Sequence, residues 1–207
     1  MNLIINYGIL IGKRFIRQIH RKGQTTGMEK KVIIIYKSST GFTKRYAEMI
    51  AEEINGTLAD FQTVTAETLS GYDTVVFGSR AHAGMIDGYK KAKELFQKAS
   101  VCQWILFVTG ATPNTEVDVL EEFWKNNLTE EERKKTPHFY MQSGLCYEKM
   151  SLLDKGMMKF MVSMMKKKKD KNDYEKGMER SIASSFDISS KEYIMPLVSL
   201  LRQEGGF

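Results

Sequence analysis

The patterned part of the chain opens with an unbroken apolar and aromatic run, Val32-Ile33-Ile34-Ile35-Tyr36. A β-branched run without alternation is expected for a strand covered on both faces, as in a parallel sheet, and the strand reading spans residues 31–36. The period then changes. Over residues 43–54, Tyr46, Ala47, Ile50 and Ile54 fall on one stripe of a helix, and Asn55-Gly56 supplies its stop. Residues 57–60 read as a short second strand. Gly71-Tyr72-Asp73 introduces a third, Thr74-Val75-Val76-Phe77-Gly78. A helix over residues 88–99 turns Ala92, Leu95, Phe96 and Ala99 inward, and Trp104-Ile105-Leu106-Phe107-Val108 forms a fourth strand. Residues 116–124 and 130–135 are short helical pieces, and residues 137–142 are a fifth strand. A closing helix over residues 191–203 has Ser189 and Glu192 as a capping box. Pro196 conflicts with an early start and moves that helix toward Met195, or kinks it.

Five strands separated by helices predict an α/β fold, a five-stranded parallel sheet with right-handed crossovers and helices on both faces. Residues 144–190 are too long for an ordinary strand-to-helix connection, so they are expected to carry structure and a function of their own. The first 27 residues end in the polar junction Lys22-Gly23-Gln24-Thr25-Thr26-Gly27. Two readings of them stand: a tail upstream of a natural start at Met28, or a basic amphipathic helix over residues 3–19. The expected organisation is therefore an extension at 1–27 outside the fold and one domain at 28–207, with an insert at 144–190.

Hydrophobic residues make up 42% of the chain and charged residues 27%, the balance of a soluble globular domain. The two cysteines, Cys102 and Cys146, form no CxxC, zinc spacing or disulfide framework, which points to a reduced, cytoplasmic setting. The apolar stretch at residues 3–11 is too short to span a bilayer and lacks the features of a signal peptide. The net charge of +6 is unevenly spread. Residues 1–27 hold five Lys/Arg and no acid, residues 149–171 hold eight lysines against two aspartates, and the remainder is net acidic. Uniform basicity would favour nucleic acid. Two local basic stretches rich in apolar residues instead suit a membrane surface or an acidic partner. Contact through residues 150–171 with the inner face of the membrane is the expectation, with no nucleic acid.

After the first strand comes Lys37-Ser38-Ser39-Thr40-Gly41-Phe42-Thr43, then a helix N-terminus, where unpaired N–H groups and the positive dipole end favour an anion. Ser38, Ser39, Thr40 and Thr43 add hydroxyl groups, and Gly41 permits close backbone approach. This turn is neither a P-loop nor a dinucleotide fingerprint, since GxxxxGK[ST] and GxGxxG are both absent. Helix capping by one hydroxyl is the bland alternative; a phosphate cup uses all of them.

The run Ser38-Ser39-Thr40-Gly41-Phe42-Thr43 resembles the flavodoxin pattern [ST]-x-T-G-x-T in its strand-loop-helix context, and the resemblance extends over about residues 30–203. It implies a flavodoxin-like sheet of order 2-1-3-4-5 with the insert after strand 5. It also implies FMN as cofactor, with the phosphate held by Ser38, Ser39, Thr40, Gly41, Phe42 and Thr43. The loops after the third and fourth strands would then enclose the isoalloxazine ring. Here those loops supply Ser79, Arg80, Ala81, His82, Ala83 and Gly84, and Thr109, Gly110, Ala111 and Thr112. Flavodoxins often sandwich the ring between a Trp and a Tyr from these loops, and this chain has neither there. His82 is the candidate for ring contact, and Arg80 for positive charge near the flavin, which would favour the reduced, anionic form.

A second resemblance lies in Phe139-Tyr140-Met141-Gln142-Ser143-Gly144-Leu145-Cys146-Tyr147 and the Met-rich basic stretch after Leu152-Leu153-Asp154-Lys155-Gly156-Met157-Met158-Lys159. These resemble the menaquinone-dependent protoporphyrinogen oxidases of heme biosynthesis, as does Gly78-Ser79-Arg80. Met150, Leu153, Met157, Phe160, Met161 and Met164 form an apolar stripe at helical spacing, with Lys155, Lys159 and Lys166 off it and an unbroken Lys166–Lys169 run beyond. Such a helix can lie in a membrane interface, cover a hydrophobic substrate, or pack on the body with a solvated lysine face. Two classes of function follow. One is an electron carrier docking to a redox partner protein; the other is an FMN-dependent oxidoreductase passing electrons to a quinone. Neither requires a catalytic side chain or a metal, because the cofactor carries the chemistry. A receiver domain on the same topology is excluded, since Gly78 stands where its acidic residue would.

Overall fold

A computed structural model describes residues 30–205 apart from 102 and 172. The N-terminal extension, its candidate helix at 3–19 and Cys102 therefore lie outside the described residues. The main sheet contains β1 (Val32–Tyr36), β2 (Thr57–Asp60), β3 (Thr74–His82), β5 (Trp104–Gly110) and β6 (His138–Gln142) in the order β2-β1-β3-β5-β6, all parallel. A short β4 (Met85–Ile86) pairs antiparallel with the end of β3. With β4 set aside, this is the expected 2-1-3-4-5 order.

The alternation of side chains along the strands splits the core into two layers. Ile34, Val76, Ile105 and Phe107 face α1 (Phe42–Ile54), together with Ile194, Leu197, Val198 and Leu201 from the closing segment. On the other face Ile33, Ile35, Val75, Phe77, Leu106 and Val108 meet Leu69 of α2 (Ala66–Leu69) and Tyr89, Ala92 and Phe96 of α3 (Tyr89–Lys98). Phe123 and Trp124 of α4 (Val117–Asn127) flank the second layer, and α5 (Glu130–Lys135) follows with a capping box from Thr129 and Glu132. Burial on both faces explains why these strands read as continuous apolar runs.

Two boundaries differ from the sequence expectation for identifiable reasons. The third strand runs on to His82, so the presumed loop after Gly78 is a β-hairpin. Ala83 and Gly84 turn it with φ of 49° and 79°, the two positive values that a tight two-residue hairpin turn needs. Asn127 at the end of α4 holds the turn, donating to the Gly84 carbonyl at 2.9 Å and accepting from the Ile86 N–H at 2.8 Å. The closing segment begins as a 3-10 turn (Lys191–Ile194) capped by Ser190 rather than Ser189. The helix proper, α8 (Met195–Gly205), starts at Met195 and places Pro196 in its first turn, where no N–H is required.

The insert forms α6 (Leu152–Lys167) and α7 (Asp173–Ser181) on a pinched base. There β7 (Gly144–Leu145) and β8 (Phe186–Asp187) pair antiparallel. Tyr46 of α1 joins both ends of the insert, donating to the Gln142 carbonyl and accepting the Ser190 N–H. Arg45 forms an ion pair with Asp187 beside it. The expected apolar stripe divides in three. Met150 precedes α6, Met161 turns toward partial cover, and Leu153, Met157, Phe160 and Met164 stand exposed. A helix packed on the body with only its lysines solvated does not describe this geometry.

Candidate functional site

The C-terminal ends of β1, β3, β5 and β6 converge at one edge of the sheet, the edge where parallel α/β sheets take ligands. After β1 the chain turns through residues 37–41 into α1. Gly41 is the N-cap, with φ of 99°, a left-handed conformation that a side chain would strain. No side chain caps the first turn of α1. The Ser38 hydroxyl is turned toward the loop instead, accepting the Gly41 N–H at 3.2 Å. The capping alternative is therefore not what these hydroxyls do, and the first-turn N–H groups of α1 point out of the helix end without a side-chain acceptor.

The predicted phosphate residues separate by position. Ser39 is exposed, Ser38 and Thr40 are half-buried, and Phe42 is buried in the body. Thr43 is also buried, and its hydroxyl shares a 2.8 Å hydrogen bond with the hydroxyl of Thr109 at the end of β5. Thr43 thus ties the first turn of α1 to the end of β5.

The predicted ring residues divide likewise. Ser79 is fully buried and donates to the Asp87 carbonyl, bracing the hairpin from within. Arg80 reaches Asp87 at 3.3 Å and Asp154 at 3.1 Å, while His82 Nε2 lies 2.8 Å from Asp154. Lys37 adds a 2.6 Å ion pair to Asp87. Ala83 and Gly84 form the exposed tip. The fourth predicted strand runs on through Thr109 and Gly110, which end β5 rather than open a loop; Gly110 accepts from the Ser143 N–H at 2.8 Å, and beyond it the Thr112 N–H donates to the Tyr140 hydroxyl at 3.1 Å. Ala111 and Thr112 are half-buried at the mouth.

Both carboxylates titrate below the usual range. Burial pushes the Asp154 carboxyl up, but hydrogen bonds from His82 and Arg80, with their charges, outweigh it and bring it down. Asp87 follows the same balance between burial and the cations of Lys37 and Arg80. Each carboxylate therefore stays ionised at neutral pH, Asp154 against Arg80 and His82 and Asp87 against Arg80 and Lys37.

The decisive pattern is a parallel 2-1-3 sheet whose first strand ends in a Ser/Thr-Gly turn onto an uncapped helix, and residues 33–172 match the model of the flavodoxin domain family. This chain belongs to that family. No protein of curated function matches it. Among solved structures the flavodoxin domain is similar to an archaeal flavodoxin at 14% identity, covering 74% of this chain and 99% of that one with a TM-score of 0.35. A WrbA-like flavodoxin from Agrobacterium tumefaciens shares 17% identity over 74% of this chain and 96% of its own, with a TM-score of 0.37. A flavoprotein from Lactobacillus acidophilus, solved in complex with FMN, shares 17% identity over 55% of this chain and 92% of its own, with a TM-score of 0.35.

Two residues of this flavodoxin domain escaped the sequence reading. Asp154 comes from the first turn of α6, where Ser151 caps its N–H, so in sequence it looks like an ordinary helix-start acid. Lys149 closes a 3-10 turn of the insert, and its Nζ lies 3.7 Å from where a Cβ would stand on Gly41. No local signal distinguishes Lys149 from the seven lysines that follow it within residues 150–171. The fold alone brings it to the phosphate turn. A cation beside the hydroxyl-rich Ser38–Thr40 turn and an uncapped helix N-terminus makes a donor set that fits a phosphate ester.

Proposed function

We propose that this flavodoxin domain binds FMN and serves as a redox protein. The observation that carries the reading is the Ser38–Gly41 turn, with Gly41 in the left-handed region at an uncapped α1 N-terminus and the Lys149 ammonium beside it. In this reading the hydroxyls of Ser38, Ser39 and Thr40, the backbone N–H groups of Phe42 and Thr43, and Lys149 hold the phosphate. The backbone at Ala81, Ala83, Gly84, Gly110, Ala111 and Thr112 lines the ring site, where small residues permit close approach. Bound FMN supplies the oxidation–reduction chemistry. Arg80 and His82, both held by Asp154, orient the hairpin beside the ring.

The purified full chain is expected to take up one equivalent of FMN with quenching of flavin fluorescence. Thr40→Val weakens binding about tenfold, the scale of one hydrogen bond to a charged group. Lys149→Ala weakens it about threefold and flattens its salt dependence. A colourless protein after dialysis against excess FMN, or unchanged affinity in Thr40→Val, would remove the phosphate assignment.

A second reading, a quinone-linked oxidoreductase of the protoporphyrinogen oxidase type, draws on one observation: Asp154 fastens the basic, Met-rich α6 to the β3–β4 hairpin. A dedicated carrier needs no such cover beside its flavin. Turnover of protoporphyrinogen with a quinone acceptor supports this second reading. Electron exchange with a redox partner protein and no such turnover supports the carrier.

A further inference from the structure

We infer that the outward face of α6 is a docking surface for an anionic lipid bilayer. Leu153, Met157, Phe160 and Met164 are spaced by four, three and four residues, which puts them on one side of the helix. They remain 73%, 39%, 67% and 56% exposed, and Leu152 at the helix start is 88% exposed. On the other side Asp154 is buried, while Met158, Met161, Val162 and Met165 are partly covered. The helix therefore has two apolar faces, one turned to the protein and one left bare. A contiguous bare apolar face on a folded domain marks an interaction site.

Charge selects the occupant. Lys159, Lys166, Lys167 and Lys169 are all exposed on or just beyond this helix. Lys168 and Lys171 differ from them, since each pairs with an acid of α7, Glu175 and Glu179, at 2.6 Å. A second copy of the chain packing face to face would bring the same exposed lysines together, a like-charge arrangement that disfavours a symmetric contact. An anionic headgroup layer accepts the lysines while the acyl boundary accepts the Met, Leu and Phe side chains. Met adapts to such an irregular surface. None of the described helices is long and apolar enough to cross a membrane, so α6, about 24 Å long at the helical rise, lies in the interface plane. Asp154 ties its first turn to Arg80 and His82, so the docked bilayer lies beside the strand-end loops.

The test is co-sedimentation of the full chain with phosphatidylcholine vesicles and with vesicles of equal parts phosphatidylcholine and phosphatidylglycerol. Binding is expected to the anionic vesicles and to fall with salt. Phe160→Ser with Met164→Ser lowers it about tenfold at an unchanged thermal midpoint, because both side chains are already exposed. Lys166→Gln with Lys167→Gln lowers it several-fold and removes most of the salt dependence. Equal binding by the Phe160/Met164 variant, equal binding to neutral vesicles, or no binding to either would overturn the proposal. So would a concentration-dependent dimer abolished by Phe160→Ser, which assigns the face to a second copy. The assay reads protein rather than flavin, so it succeeds or fails independently of the FMN reading.

Discussion

The strands of the main sheet hide their apolar side chains, with Ile33, Ile34, Ile35, Phe77 and Phe107 all at zero exposure, whereas α6 of the insert leaves Leu153 and Phe160 mostly in solvent. The two regions are held by different forces. Burial in two layers stabilises the sheet. The insert is held largely by polar ties: Asp154 to Arg80 and His82, Tyr147 to the Ile182 carbonyl, Ser185 to Glu148 at 2.7 Å, and the β7–β8 pairing at its base. The difference teaches that the Leu153, Met157, Phe160 and Met164 side of the insert is not directed to folding. It remains available for a contact outside the chain, while the sheet supplies the rigid edge on which the site is built.

Substitutions separate the two regions, and the largest effect belongs to the sheet. A Cβ at Gly78 would stand 2.0 Å from Phe107 Cζ, inside the packed core. Gly78→Ala is therefore expected to cost about 3 kcal/mol or to prevent folding, read from the urea midpoint. A midpoint near the parent's would show that the sheet core tolerates the shift and would blur the contrast.

Asp154→Asn comes next and strikes only the insert. It weakens the tie to Arg80 and His82 by about 1–3 kcal/mol, so α6 amides are expected to exchange faster while the sheet keeps its protection. The same tie responds to pH. Asp154 has its folded pKa depressed, so its contribution is complete above the unfolded carboxylate value of about 4 and is lost as pH falls through the lower folded value. Faster α6 exchange on acidification below about pH 4 in the parent, and a smaller response in Asp154→Asn, is the expected outcome. Identical responses would place the latch elsewhere.

The smallest effect is expected at exposed ion pairs. Lys134 and Lys135 each pair with the acid four residues earlier, Glu130 and Glu131, in full solvent. Replacing either lysine by Ala should move stability by less than about 0.5 kcal/mol. A larger loss would mean that surface charge supports the sheet as well as the insert.

Most of the framework was legible along the chain. Val32-Ile33-Ile34-Ile35-Tyr36 announces a strand covered on both faces, and Ser38-Ser39-Thr40-Gly41 announces the turn into α1, because strand period, turn chemistry and helix ends depend on residues a few positions apart. The β3–β4 hairpin was missed because Ala83 is an unexpected residue at positive φ, held there by Asn127 from a distant helix. Thr43 was assigned to the phosphate by its place in the motif, yet its hydroxyl turns inward to Thr109, 66 positions away.

The chain's own order of apolar runs and turns determined a parallel α/β sheet and the turn that leads from its first strand into α1. Each follows from local sterics and side-chain period. Tertiary structure alone decided that Asp154 would meet Arg80 and His82 across 74 and 72 positions, that Lys149 would arrive at Gly41, and that one side of α6 would stay bare. Such pairings depend on where packing brings distant segments together, and no local period encodes that.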